Sequence, residues 1–171
     1  MSSSRPAPWL TIVLHEPEIP NNTGAIGRTC VATGAALRLI EPIAFDTSEK
    51  ACRRAGLDYW PRLAPRMHAS WAHYLAEARP PRIWLYTTRS ARPHWDADVR
   101  LGDHLVFGKE TAGLPGEILR EHADRTVTLP MIEGERSLNL ANAACAALYE
   151  AMRQIVKQNE ARLDRDGRLY V

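Results

Sequence analysis

Three polar loops in this 171-residue chain combine residue types that bind anions or bring backbone close to a ligand. The first, His15 to Gly24, is rich in proline and asparagine and leads into a stretch that contains Arg28. Because exposed amides at a helix start attract anions, Asn22 and Arg28 are candidates for holding a phosphate. A rigid proline loop, with Asn22 or Thr23 as a helix cap, is the alternative that needs no ligand.

The second loop, Phe107 to Gly116, has three glycines within nine residues, which lets its backbone approach a ligand closely. It is not a Walker A loop, because Lys109 is followed by Glu110 rather than by serine or threonine. The chain also has no GxGxxG sequence, so the common dinucleotide-binding loop is excluded. A glycine-rich turn without a ligand is the alternative for this segment.

The third loop, Leu129 to Ala143, contains Ser137 and Asn139 directly before an alanine-rich apolar segment. Either residue can cap the helix that we predict there, and the pair could instead bind the polar edge of a nucleoside. All three loops follow predicted strands. In open parallel sheets, ligands bind at the carboxyl ends of the strands, so we expect the three loops to share one site.

The elements that must position these loops alternate along the chain, which predicts an α/β fold with a mostly parallel sheet and helices on both faces. The helix that starts near Asn139 is the clearest, because Ala141, Leu148 and Ile155 recur at helical spacing. Gly34 is expected to end the first helix. We predict strands at 9–14, 36–40, 82–87, 104–107 and 125–129, and helices at 25–33, 48–55, 68–78 and from 139 onward.

The composition excludes several classes of protein. With 45% hydrophobic and 25% charged residues, the chain can form a packed core. No apolar run approaches the roughly 20 residues that cross a bilayer, so we expect no membrane segment. Three cysteines without a CxxC spacing argue against a disulfide framework and a zinc site, and the N-terminus lacks an apolar signal. We therefore expect a cytoplasmic protein that needs no metal.

Arginine accounts for 19 of the 22 basic residues, although the net charge is only +2. The basic residues cluster at 50–66 and at 79–100, where tryptophans are interleaved with them. Because the planar guanidinium suits phosphate, both clusters are compatible with a nucleic-acid partner. An ordinary solvated surface is the alternative explanation of the charge.

Taken together and in this order, these segments resemble the SPOUT class of RNA methyltransferases. The similarity spans roughly residues 9–157 and is strongest to members that methylate the 2′-hydroxyl of the wobble nucleotide, position 34, of leucine tRNAs. Lys109 is a departure, since relatives often have another residue there. The matching segments are LHEPEIPNNTGAIGRTC, RRAGLDYW, YTTRS, LVFGKETAGLP and LPMIEGERSLNLANAACAALYEA.

The resemblance implies a C-terminal trefoil knot that holds S-adenosylmethionine in a bent shape, with S-adenosylhomocysteine as the product. It also implies a homodimer whose sites lie near the interface. The residues matched to cofactor contacts are Tyr86, Thr87, Gly108, Gly113, Leu129, Ile132, Ser137 and Leu138. The residues matched to catalysis are Asn22, Arg28, Glu110, Ser137 and Asn139.

A tRNA substrate needs a basic surface, for which Arg53, Arg54, Arg89 and Arg92 are our candidates. We expect a disordered lead at residues 1–8, the methyltransferase domain at 9–157 and a charged tail at 158–171.

Three alternatives remain at this point. The first is a SPOUT 2′-O-methyltransferase that acts on ribosomal RNA or on another tRNA position, and the second is a non-catalytic RNA-binding protein on the same scaffold. The third is a thiol hydrolase that uses Cys30 or Cys145. Both cysteines fall within helical segments, so we expect them to be inert core residues.

Overall fold

The computed structural model describes residues 8–54 and 56–171. The predicted lead at 1–8 therefore lies outside the described residues except for Pro8, and so does Ala55 at the end of the helix predicted at 48–55.

A six-stranded parallel sheet forms the centre of the molecule, which confirms the predicted α/β fold. The strand order is β3-β2-β1-β5-β4-β6, and every neighbouring pair is parallel. The strands β1 to β6 are Thr11–His15, Ala36–Ile40, Arg66–His68, Ile83–Tyr86, His104–Phe107 and Thr126–Val127. The helices α1 to α6 are Pro20–Thr33, Glu49–Arg54, Trp60–Leu63, Trp71–Ala78, Gly116–Glu121 and Leu140–Lys157.

Both faces of the sheet are buried, because successive side chains of a strand point to opposite sides. On one face, Ile12 and Leu105 pack with residues of α1 and α6 in the larger core. On the other face, Val13 and Val106 pack with α4 and α5 around Tyr74. The middle residues of the central strands are consequently apolar, while Thr11, His15 and His104 are buried at the strand ends. The polar loops at the carboxyl ends are what the sheet presents to a ligand.

The first helix begins earlier than its sequence suggests. It starts at Pro20 with Ile19 as the N-cap residue and has no side-chain cap, so the prediction that Asn22 or Thr23 caps it is wrong. Proline at the first helical position already has the helical φ and lacks an amide that would need a partner. Asn22 thus lies inside the first turn, where its side chain is free to contact other loops. Gly34 ends the helix at a φ of 73°, as predicted.

Short elements account for the remaining differences from prediction. Strands β2 and β5 match their predicted ranges, whereas β3, α3 and α5 were not predicted. His68 belongs to β3, and the helix predicted from there begins at Trp71, after Ser70 accepts a hydrogen bond from the His73 amide. Elements of three to six residues carry too little periodicity to be recognised from a pattern.

Asn139 caps α6, accepting hydrogen bonds from the amides of Ala141 and Asn142 at 2.9 and 3.2 Å. Beyond α6, the segment predicted as a charged tail contains an antiparallel hairpin, Arg162–Leu163 with Leu169–Tyr170. Glu160 ties this segment to the domain, because its carboxylate accepts from Arg100 Nη1 and from the Leu101 amide. No helix within the described residues is long and apolar enough to span a membrane.

Burial of histidine predicts a specific response to acid. His104 is buried beneath α4, where its Nδ1 lies 2.7 Å from the Tyr74 hydroxyl. Burial lowers its pKa from 6.5 to about 4, and the nearby charges of Arg38 and His68 act in the same direction. The unfolded chain therefore binds a proton that the folded chain excludes, so stability is complete above about pH 6.5 and falls as the pH drops towards 4.

We expect the free energy of unfolding to decrease by about 3 kcal/mol from this group between pH 6.5 and 4, because each unit of pKa difference corresponds to about 1.4 kcal/mol. Urea unfolding measured across this range should show a smaller pH dependence in His104→Gln than in the wild type. His73→Gln, which alters an exposed histidine on α4, is the control. An equal pH dependence in wild type and His104→Gln would contradict the assignment.

Candidate functional site

A cavity of about 540 Å³ opens at the carboxyl edge of the sheet. The loops that follow β1, β4, β5 and β6 all contribute to its wall, so the three polar loops do converge as expected. Ten of the residues matched to cofactor contacts or to catalysis line it: Asn22, Tyr86, Thr87, Gly108, Gly113, Glu110, Leu129, Ser137, Leu138 and Asn139.

The glycines of the second loop bring two backbone segments into contact at this cavity. A Cβ atom on Gly108 would lie 2.0 Å from the carbonyl carbon of Gly113 and 2.2 Å from the Leu114 nitrogen. No side chain fits there. Gly113 itself has a φ of +70°, and its amide donates to the Lys109 carbonyl at 2.8 Å. The cavity wall at this point is therefore bare backbone, which can donate to or accept from a ligand directly.

Glu110 joins the second loop to the first. Its Oε2 accepts from the Glu18 amide at 2.8 Å, and its Oε1 accepts from the Ile19 amide at 3.2 Å and from Asn22 Nδ2 at 3.0 Å. Glu18 returns the contact, because its carboxylate accepts from the amide and the hydroxyl of Thr111. These hydrogen bonds lower the pKa of Glu18. The two loops are thus held together by reciprocal, charge-assisted bonds.

Asn22 continues this chain of contacts to the third loop. Its Oδ1 accepts from Asn139 Nδ2 at 2.9 Å, while its own Nδ2 donates to Glu110. The side-chain oxygen of Asn139 caps α6. A single hydrogen-bonded series, Glu110–Asn22–Asn139, therefore connects all three loops beside the cavity.

Lys109, whose role the sequence left open, also bridges the first two loops. Its Nζ lies 2.8 Å from Glu16 Oε2, and this hydrogen bond raises the pKa of Lys109. Lys109 lines the cavity and stays protonated at neutral pH. Lys109, which departs from the family's pattern, thus has a structural role here, because it pairs with Glu16, 93 residues earlier in the sequence.

Aromatic packing forms the apolar part of the cavity wall. The Tyr86 ring stacks on Phe107 with a centroid separation of 4.6 Å, and both side chains are buried at the ends of neighbouring strands. Burial raises the pKa of Tyr86, so its hydroxyl stays protonated and can donate. Beyond β4, Thr87 Oγ1 accepts from the Arg89 amide at 3.2 Å, which orders the loop.

Two residues predicted for the site lie elsewhere. Ile132 is 77% exposed and does not line the cavity, and Arg28 lines a second, smaller cavity of about 200 Å³. Arg28 follows Asn22 by six residues, which rotates it about 120° around the helix. Its guanidinium carbon lies over the Tyr59 ring, 4.7 Å from the centroid.

Sequence reasoning missed Arg136, Met131 and Ile19, which also line the larger cavity. Arg136 directly precedes Ser137 in the third loop, so its position beside a proposed contact was the available signal. Ile19 is the N-cap residue of α1, and it was missed because that helix was expected to begin later.

The arginines proposed for RNA binding lie in different surroundings. Arg53 and Arg54 are exposed on the last turn of α2, and exposed Arg89 lines the larger cavity. Arg92 Nη1 donates to the Asp124 carbonyl at 2.9 Å, so part of its guanidinium supports the fold.

Of the two cysteines considered for thiol chemistry, Cys145 is half-buried on α6 rather than in the core as expected. Cys30 is buried, and burial raises its pKa to about 12, which keeps it unreactive. Ligand atoms of His68, His73 and Glu77 do lie within 4.8 Å of one another. However, Arg38 Nη1 lies 3.0 Å from His68 Nε2 and must donate to it. The neutral imidazole then carries its proton on Nδ1, the atom that faces Glu77 at 2.9 Å and would have to bind the metal.

Comparison with known proteins agrees with this geometry. The chain is 46% identical over 145 residues to the tRNA (cytidine(34)-2′-O)-methyltransferase of Saccharophagus degradans, covering 84% of this chain and 94% of that protein. A solved structure described as giving structural insights into the 2-OH methylation of C/U34 on tRNA superposes with a TM-score of 0.77 at 43% identity, covering 85% and 95% of the two chains.

A more distant structure shows a bound ligand. The SpoU methyltransferase AviRb from Streptomyces viridochromogenes, solved in complex with the cofactor AdoMet, superposes with a TM-score of 0.73 at 31% identity. The match covers 89% of this chain and 62% of that one. The model of the SpoU rRNA Methylase family matches residues 9–149. With most of its length matched and its loops converging as described, the chain belongs to the SpoU methylase family of RNA methyltransferases.

Proposed function

We propose that this protein transfers a methyl group from S-adenosylmethionine to the 2′-hydroxyl of nucleotide 34 of tRNA, with leucine tRNAs as the substrates. The observation that carries the proposal is the Glu110–Asn22–Asn139 series, which assembles three loops around one cavity. The relatives named for this reaction support the choice of substrate and of position.

The larger cavity fits the cofactor on its own geometry. A volume of about 540 Å³ lies within the roughly 300–1,000 Å³ range of small-molecule sites. Bare backbone at Gly108 and Gly113 leaves room for close contact, and Leu129 and Leu138 supply apolar wall for an adenine ring. Tyr86, Thr87 and Ser137 offer hydroxyl groups at the same wall. Ile132 is not needed for this arrangement.

When bound, the cofactor supplies an electrophilic methyl group on a sulfonium, and displacement is in line. The protein must therefore place the ribose oxygen behind the methyl carbon and exclude other nucleophiles. Ser137 and Asn139 are exposed at the cavity and are our choice for orienting the ribose. Glu110 acts through Asn22 as a positioning residue, because its carboxylate oxygens are occupied by two amides and the Asn22 side chain.

Arg28 is proposed to clamp the phosphate beside the target ribose and to stabilise negative charge that develops on the oxygen. A guanidinium remains protonated in proteins, so it serves as a donor rather than as a base. Arg28 lies about 9 Å further along the axis of α1 than Asn22 and on another side of the helix, so an RNA strand that runs obliquely across the first turns of α1 can contact both residues.

A homodimer is part of the proposal. Apolar side chains at the rim of the larger cavity are unusually exposed: Ile19 by 45%, Leu138 by 46% and nearby Ile132 by 77%. An apolar rim beside a ligand site is typical of a surface that a partner covers. We propose that a second copy covers this rim and completes the tRNA surface.

The experiment that tests the reaction is methylation of bulk tRNA with labelled S-adenosylmethionine, followed by mapping of the modified nucleotide. We expect label on the ribose of nucleotide 34 of leucine tRNAs. Label at another tRNA position, or only in ribosomal RNA, would show that the protein methylates a different nucleotide from the one proposed. Binding of S-adenosylmethionine without any methyl transfer would favour a non-catalytic protein.

Replacing Glu110 by Gln changes few atoms but should disrupt the hydrogen bonds that hold the cavity together. One carboxylate oxygen becomes an amide nitrogen, which donates where Glu18, Ile19 and Asn22 also donate. We expect kcat to fall at least about 100-fold, an effect of about 2.7 kcal/mol. Glu117→Gln on α5, which alters an exposed carboxylate, is the control. Near-normal kcat in Glu110→Gln would contradict the positioning role.

Arg28→Lys separates a planar clamp from a simple positive charge. The substitution keeps the charge but loses the planar fork and its contact with Tyr59. We expect kcat to drop at least about tenfold while the Kd for S-adenosylmethionine is unchanged, because Arg28 does not line the larger cavity. Turnover equal to that of the wild type would rule out the clamp.

The salt dependence of tRNA binding tests the proposed basic surface. Each phosphate contact that is removed should reduce the slope of log K against log salt by about 1. We expect Arg54→Gln and Arg89→Gln each to weaken tRNA binding in this way without altering the folding temperature. Arg165→Gln, in the exposed C-terminal hairpin turn, is the matched control. Unchanged slopes would place the RNA elsewhere.

A further inference from the structure

We propose that the second cavity is a nucleobase subsite, which receives one unstacked base of the tRNA anticodon loop other than the base of the methylated nucleotide. This inference rests on the proposed function, because it assumes that the anticodon loop lies across α1. The cavity measures about 200 Å³, below the roughly 300 Å³ at which pockets for drug-sized ligands begin, and is the right scale for a single ring system.

The walls of this cavity are mostly apolar. One face of α1 forms one side, and residues of the 45–47 loop and of α2 form the other. Flat heteroaromatic rings bind by contact with such surfaces, and every base has a face that can do so. The apolar side chains that line it are Ala25, Phe45, Ala51, Leu57, Tyr59 and Trp60.

Thr23 supplies the observation that points to a polar ligand. Its side chain is 1% exposed, it lines the second cavity, and its Oγ1 has no hydrogen-bond partner among the described residues. Buried hydroxyl groups are normally paired, because leaving one unpaired costs its hydration. A hydroxyl both donates and accepts, so it can bind the edge of a base.

The surroundings of the second cavity favour a nucleic acid over a neutral metabolite. Arg28 lies at its wall over Tyr59, and Lys50, Arg53 and Arg54 are exposed on α2, whose neighbouring residues line it. Asp46 is the carboxylate among the described side chains at the wall, and it accepts from the Ser48 amide at 2.8 Å. Proteins that bind unpaired bases combine an apolar surface that contacts the base with basic side chains that contact the neighbouring phosphates.

The two cavities are placed for one RNA strand. Asn22 faces the larger cavity and Thr23 lines the second, because consecutive residues of a helix diverge by about 100°. A strand that crosses the start of α1 can therefore present a ribose to one cavity and a neighbouring base to the other. The second cavity would then set the register of the anticodon loop.

The test fills the cavity and removes the base in the same experiment. Ala25→Leu places a larger side chain into the slot, and Ala32→Leu, at an exposed site two turns along the same helix, is the matched control. Binding of each protein to an anticodon stem-loop RNA is measured for the intact RNA and for versions with one abasic nucleotide at each loop position.

We expect Ala25→Leu to weaken binding of the intact RNA about tenfold and Ala32→Leu to leave it unchanged. At one loop position, removal of the base should weaken wild-type binding by a similar factor yet have no further effect on Ala25→Leu, the signature of coupled groups. The proposal would be overturned if Ala25→Leu bound the intact RNA as tightly as the wild type does. It would also be overturned if, at every loop position, the loss of affinity caused by base removal were the same in Ala25→Leu as in the wild type.

Thr23 provides a second, milder variant. Thr23→Val keeps the shape but removes the hydroxyl, so we expect weaker RNA binding, whereas Thr23→Ser should restore most of it. The Kd for S-adenosylmethionine should be unchanged in both, and the folding temperature of Thr23→Val should not fall, because the hydroxyl that it loses has no hydrogen-bond partner among the residues that the structure describes. Equal RNA affinity for the valine and serine variants would show that Oγ1 does not contact the base.

Failure here is separable from failure of the proposed function. If the wild type methylates nucleotide 34 and Ala25→Leu does so with the same KM for tRNA, the subsite is wrong and the reaction stands. If the wild type methylates no tRNA, the proposed function is wrong, whatever the binding measurements show for the second cavity.

Discussion

The Glu110 carboxylate is the interaction on which the rest of the site depends. Two backbone amides and the Asn22 side chain donate to its oxygens. A charge-assisted bond is about twice as strong as a neutral one, so this cluster can hold a loop without a regular element. Asn22 passes the constraint to Asn139, and Asn139 passes it to α6 through the helix cap. Among the described residues, the other charge-assisted contacts between the first and second loops are Lys109–Glu16 and Glu18–Thr111.

The parallel sheet makes this concentration of polar groups possible. Its central strands are buried on both faces, so most of their side chains are apolar and the exposed polar groups are concentrated in the loops at their ends. The order β5-β1-β2 places the loops after the first and fifth strands side by side. The family also implies a trefoil knot, which is rare among proteins.

Most of the fold could be predicted from apolar patterns, and most of the residues matched through the resemblance line the larger cavity. The strands at 36–40 and 104–107 and the long last helix carry enough periodicity to be recognised. The three-residue strand β3 and the short α5 do not. The Lys109–Glu16 contact joins residues 93 apart, which no local pattern can reveal. Arg28 was expected beside Asn22 in one site, but helix geometry places it on the second cavity. Its role in catalysis stays a prediction.

Asn139 both caps the start of α6 and holds the first loop beside the third, so the larger cavity depends on a residue that is synthesised late. Its partner Asn22 lies 117 residues earlier in the chain. The N-terminal strands can pair while translation continues, yet the larger cavity stays open on one side until α6 has been made. A nascent chain therefore has no finished ligand site to protect it, and a fragment that ends before α6 would lack one altogether.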